Sequence, residues 1–103
     1  WEGDISEPGF DFQRGVAVLQ NGKADYDQFD RQRAFETFRT TDDHCMELCG
    51  LAHDRQGHRF FIAKNSWGPN NRFGGFMYLS YQYVKLKTIA VYLSKEAMGK
   101  MAC

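Results

Sequence analysis

The 103-residue sequence predicts an α+β domain, one helix followed by a mostly antiparallel β-sheet or partial barrel. Three observations carry that prediction. Between residues 25 and 38 the apolar positions Phe29, Ala34, Phe35 and Phe38 recur at helical spacing. From residue 44 onward the pattern changes to period two, in four runs of strand length. Short Gly-containing segments separate the first three runs, which suits hairpins better than long crossovers.

Taken in order, residues 1–15 (WEGDISEPGFDFQRG) are rich in Gly and acid and read as extended loop. Residues 16–19 suit a short strand that ends at an Asn21-Gly22 turn. The helix over 25–38 runs four turns at most, with Asp25 or Asp27 placed to cap it or to favour the positive end of its dipole. In residues 44–52 the alternation puts His44, Met46, Leu48, Gly50 and Ala52 on one face and Cys45, Glu47, Cys49 and Leu51 on the other. Residues 53–58 (HDRQGH) supply a hairpin loop, and 59–67 (RFFIAKNSW) a second strand antiparallel to the first. A loop over 68–71 leads to a third strand, 73–80, whose paired Gly74 and Gly75 point to a bulge or a close backbone approach. A helical turn over 80–85, a fourth strand over 87–94 and a short polar helix or tail over 95–103 complete the chain.

Composition limits what such a chain can be. Hydrophobic residues at 43% and aromatics at 16% suffice for a core and exclude a disordered chain. The length fits a single domain spanning 1–103. The formal net charge is zero, although residues 1–43 hold ten acids against five bases and residues 44–103 three acids against eight bases. That zero total argues against nucleic acid or an anionic membrane as the main partner. No apolar run approaches the ~20 residues of a membrane span. Three cysteines form no even disulfide framework and lean towards a reducing, cytoplasmic compartment. The chain opens at Trp1 rather than Met and shows no signal peptide; it is expected to be a piece of a longer protein.

The chemistry begins with His44. The second strand ends in Lys64-Asn65-Ser66-Trp67-Gly68, and an antiparallel hairpin brings the start of one strand beside the end of its partner. With a sequence separation of 21 and a turn near residue 56, His44 and Asn65 are expected almost opposite one another. Cross-strand neighbours lie ~4.5–5.5 Å apart at Cβ. The Asn65 amide oxygen can then accept from a ring N–H of His44, fixing its tautomer while the other nitrogen faces a reacting group. Trp67 points to the same side as Asn65 and can shield that bond from water, and Gly68 lets the chain turn away.

The string NSWG, after a strand and ahead of GGFMYLS, resembles the Asn region of papain-like cysteine peptidases. TTDDH ahead of a strand, VKLKTI near the end and the opening WEGDISEPGF resemble more narrowly the bleomycin hydrolase (aminopeptidase C) branch. The likeness covers nearly the whole chain. It implies a papain-like C-terminal half-domain, with His44 as general base and ion-pair partner and Asn65 as the residue that orients it. It further implies thioester acyl transfer on a peptide substrate without a cofactor. In that branch, aminopeptidase activity depends on a C-terminal arm whose carboxylate selects free amino termini.

The departure from the family is as informative. Such enzymes carry a Cys thiolate in a Q-x-x-x-x-x-C-W type motif on the other half, and nothing here matches it. Cys45 follows His44 in a strand and points to the opposite face. Cys49 lies roughly 13 Å further along that far face, at ~3.3 Å per residue. Cys103 belongs to the tail. The expected chain is therefore the His- and Asn-bearing half, inactive alone, with the missing Cys-bearing half as its partner.

Two other readings compete with this one. His44, Cys45, Cys49, His53 and His58 are close in sequence, but their spacing matches no metal motif, and no metal is expected. A non-catalytic binding module would use the aromatics Phe60, Phe61, Phe73, Phe76, Tyr78, Tyr81 and Tyr83, which alternate as core residues do. Cleft residues left uncovered predict a homo-oligomer. Asp42 and Asp43 are placed either to raise the pKa of His44 or to turn the chain into the strand, and Ser66 has no nucleophile-elbow context.

Overall fold

The computed structural model describes residues 1–20 and 25–96. The Asn21-Gly22 turn, Cys103 and most of the predicted tail lie outside the described residues. Among the described residues, eight short strands and two helices follow in the order β1 (Glu2–Gly3), β2 (Phe10–Asp11), β3 (Val16–Ala17), α1 (Gln28–Glu36), β4 (His44–Cys45), β5 (Glu47–His53), β6 (Arg59–Lys64), β7 (Phe76–Ser80), α2 (Tyr81–Lys87) and β8 (Thr88–Ala90). They form a three-stranded sheet, β4-β1-β8, and a five-stranded sheet, β2-β3-β7-β6-β5. The pairings are antiparallel except β3 with β7. The architecture is the α+β class the sequence predicts, and among the described residues the sheets do not close into a barrel.

The first fifteen residues are not the plain loop the composition suggests. β1 lies between β4 and β8, and β2 pairs with β3. These two-residue strands have no local signal, because distant backbone makes them. Trp1 exchanges backbone hydrogen bonds of 2.9 Å with Met46, and its indole N–H donates to Thr88 Oγ1 at 2.7 Å. Trp1, Ala17, Met46, Ala63, Met77, Leu79 and Tyr83 are buried together as the core.

Helix α1 starts where Asp27 caps it. The Asp27 carboxylate accepts from Asp30 N, and the Asp30 carboxylate accepts from Asp27 N, a reciprocal capping box. Its packing differs from the sequence expectation. Ala34 alone among its residues is buried, whereas Phe29 and Phe38 are 75% and 86% exposed. The inner side is taken by Arg31, whose guanidinium donates to Thr88 O (2.8 Å) and Ile89 O (3.0 Å). Polar ties to β8 take the place that the helical spacing of the Phe side chains suggested for an apolar face.

The predicted strand over 44–52 is two strands, broken at Met46, and β5 carries a bulge. Leu48 pairs with Ala63, yet Gly50 pairs with Ile62, leaving Cys49 as the extra residue. Leu48 and Gly50 thus face opposite sides, which corrects the single face drawn from simple alternation. A Cβ on Gly50 would sit 3.2 Å from Ile62 Cδ1, consistent with that side.

β6 stops at Lys64 and β7 starts at Phe76, so the ends of the predicted strands at 65–67 and 73–75 form a loop instead. Asn71 staples that loop. Its side-chain oxygen accepts from Phe73 N (3.0 Å) and Gly75 N (2.6 Å), and its nitrogen donates to Phe76 O (2.9 Å). Gly75 has φ +99°, and a Cβ there would lie 2.8 Å from Gly68 O. Both the left-handed backbone and the close approach exclude a side chain. Gly75→Ala is expected to lower unfolding free energy by about 2 kcal/mol; urea denaturation checks it, and an unchanged midpoint would contradict the reading.

Candidate functional site

The site sits where the two sheets meet. β1 fixes β4 through the pairing of Gly3 with His44, and Gly3 has no room for a Cβ, which would lie 2.3 Å from the Trp1 ring and 2.5 Å from Lys87 O. On the other side, β6 delivers Asn65 one residue past its end, and Asn65 N donates to Gly75 O at 3.2 Å.

His44 Nε2 lies 2.8 Å from Asn65 Oδ1. The contact predicted from sequence is present, but it is not a rung of the β5–β6 ladder. That ladder ends at Glu47 with Lys64, and His44 reaches Asn65 from the smaller sheet. The Asn65 oxygen also accepts Ser66 N–H at 2.8 Å. An oxygen taking two donors requires the proton on Nε2 of a neutral His44. Nδ1 then carries the lone pair, and it makes no hydrogen bond among the described residues. A side chain so arranged can accept a proton at Nδ1, or hold an anion there once protonated.

Trp67 covers this pair. Its ring stacks on the His44 imidazole with centroids 4.9 Å apart and planes at 29°. Phe10 and Phe12 press edge-on against the indole, at 6.0 and 5.2 Å. Asn65 is buried at 5% exposure, while Trp67 is 46% exposed. The ring therefore shields the hydrogen bond on one side and faces solvent on the other. Gly68, with φ +84°, turns the chain away as expected.

The remaining predicted residues fall elsewhere. Cys45 and Cys49 are exposed and free, and Cys49 Sγ is 3.5 Å from Ile62 O. Asp43 accepts from Ile5 N (3.1 Å) and Thr41 Oγ1 (2.7 Å), so it serves the turn before His44. Asp42 faces Glu2; the hydrogen bond between the two carboxyls, together with burial and the Glu2 charge, raises Asp42 above its ordinary value. His58 pairs with Asp54 at 2.9 Å and closes the hairpin loop. Among the described residues no three His, Cys, Asp or Glu are grouped closely enough to hold a metal ion.

The aromatic set divides as well. Tyr83 is fully buried, its hydroxyl donating to Asp4 O at 2.6 Å. Phe61 stacks on Tyr81, and Phe60 and Phe73 meet Tyr78 edge-on. Sequence reasoning missed Phe10, Phe12 and Met77 at the site. The Phe-x-Phe alternation at 10–12 was the available signal for the first two.

No protein-family model matches the chain, and comparison with curated proteins finds no match. Among the described residues no helix is long and apolar enough to cross a membrane.

Proposed function

We propose that the chain is the His- and Asn-bearing half of a cysteine-type peptidase, papain-like and of the bleomycin hydrolase (aminopeptidase C) kind. The observation that carries the reading is the 2.8 Å bond from His44 Nε2 to Asn65 Oδ1 under the Trp67 ring, with Nδ1 making no hydrogen bond among the described residues. His44 takes the proton of a cysteine thiol supplied by the other half and holds the thiolate as an ion pair. The thiolate adds to a peptide carbonyl. His44 Nδ1–H then protonates the leaving amine as the C–N bond breaks, giving a thioester. Nδ1 next takes a proton from water, whose oxygen displaces the sulfur and releases the acid. Asn65 keeps the ring oriented through every step.

The 103-residue chain alone is expected to hydrolyse no aminoacyl or peptide substrate. The test is the coding sequence ahead of Trp1 and the longer protein it specifies. A peptidyl epoxide should label a cysteine in a Q-x-x-x-x-x-C-W segment there, and only while His44 is intact. Stoichiometric labelling of Cys45 in the short chain would overturn the assignment.

A second reading, a partner-seeking module that assembles with itself, is favoured by exposed large apolar side chains: Phe29, Phe38, Leu51 and Tyr92, besides Trp67. The isolated chain is expected to form a dimer or larger species. Light scattering at high concentration that returns a clean monomer would count against it.

A further inference from the structure

Asn65 is buried, so both ends of its amide need partners inside the protein. The oxygen has two, His44 and the Ser66 N–H. Among the described residues the nitrogen has one, the Met77 thioether sulfur at 3.7 Å. Met77 lies on β7 opposite Ala63, two residues before Asn65, and is fully buried. From this juxtaposition we infer that Met77 is a positioning residue: its sulfur holds the amide nitrogen and so keeps the amide oxygen turned to the imidazole. The inference rests on the proposed role of the His44–Asn65 pair and names what sets its polarity.

The two ends of a carboxamide are nearly the same in shape, and only hydrogen bonding tells them apart. Ser66 N–H is a donor and selects oxygen on its side. The thioether is an acceptor with no proton to give and selects nitrogen on the other. Turning the amide over would set Nδ2–H against Ser66 N–H and the oxygen against sulfur, two repulsive contacts in place of two attractive ones. The imidazole would then meet a donor, and its proton would move to Nδ1, the atom the proposed chemistry needs free. Packing alone does not call for sulfur. Leu79 fills the same face of β7 with a plain aliphatic chain and is also fully buried.

The decisive comparison is the 103-residue chain against Met77→Leu, which keeps volume and removes the acceptor. Long-range 15N correlation spectra report the His44 tautomer, and side-chain amide exchange reports Asn65. The unaltered chain should show neutral His44 as the Nε2–H form alone. In Met77→Leu the Asn65 NH2 should exchange about tenfold faster, the equivalent of one ordinary hydrogen bond lost. A second His44 tautomer should appear, while backbone amides along β6 and β7 keep their protection. A single tautomer with unchanged amide protection in Met77→Leu would overturn the inference and leave the peptidase reading standing. Mixed tautomers in the unaltered chain would sink the His44–Asn65 reading and this inference with it. Should Met77→Leu not fold, norleucine in place of every methionine removes the sulfur with little change of shape, and the same two spectra decide.

Discussion

Replacing Asp4 with alanine is expected to cost about 3–5 kcal/mol of unfolding free energy, the loss typical of breaking a buried charge pair from one side. Asp4 is fully buried. Its carboxylate accepts from Ser6 N (2.7 Å) and Ser6 Oγ (2.5 Å) on one oxygen and from Thr41 N (3.1 Å) on the other. Lys87, also buried, lies 3.6 Å away and is shared with Glu7 at 2.5 Å and Arg39 O at 2.8 Å. One carboxylate thus ties the start of the chain, the turn ahead of His44 and the end of α2. A domain of this size has about 5–15 kcal/mol in total, so the variant should lose a large share of it. Denaturant melts measure the loss, and a cost below about 1 kcal/mol would show the network to be incidental. Converting Asp4 to Asn and Lys87 to Met together should cost less than the sum of the single changes, because neither charge is then left alone.

The same group sets an acid limit. Burial is the largest single influence on Asp4 and works to raise its pKa. Hydrogen bonds from Ser6, Asp43 and Thr41 outweigh it and hold the carboxyl below the ordinary aspartate value. A depressed folded-state pKa contributes stability above the unfolded value, ~3.9, and that stability is lost as pH falls through the folded pKa. Asp4→Asn should therefore flatten the stability profile below about pH 4 while lowering it at neutral pH.

The centre of the fold was readable from sequence because it is local. A hairpin closing near residue 56 carries the chain to Glu47 and Lys64, next to His44 and Asn65, and the pairing of β1 with His44 completes the contact. The capping residues of α1 were readable for the same reason. What escaped was made by distant parts. β1 and β2 exist only because residues 44–45, 88–90 and 16–17 offer them backbone partners. The bulge at Cys49 shifted the faces of β5, and Gly50 beside it was the faint local sign. Phe29, Phe35 and Phe38 had helical spacing but lost the inner side of α1 to Ala34 and Arg31, since Arg31 finds two carbonyls on β8. Met77 looked like any core residue of a strand, because its distance from an amide nitrogen is a tertiary fact.

On the proposed peptidase reading, His44→Ala in a longer protein that supplies the nucleophile is expected to lower kcat/KM by about 10^3 to 10^4 or more. In that reading the change removes both the base that would ionise the thiol and the acid that would protonate the leaving amine. Asn65→Ala should cost less, about tenfold, because the imidazole remains and loses one oriented hydrogen bond. The loss should fall on kcat more than on KM, since the ring is misaligned only where a proton must move. Trp67→Ala strips the cover from that bond and lets water compete for Asn65 Oδ1, so its effect should be smaller still where Asn65 is already absent. The coupling between Trp67 and Asn65 in a double-mutant cycle is therefore the sharper measurement than either single change. Additive losses would mean that the indole acts on substrate rather than on the pair, and full activity in His44→Ala would remove the basis of the peptidase reading.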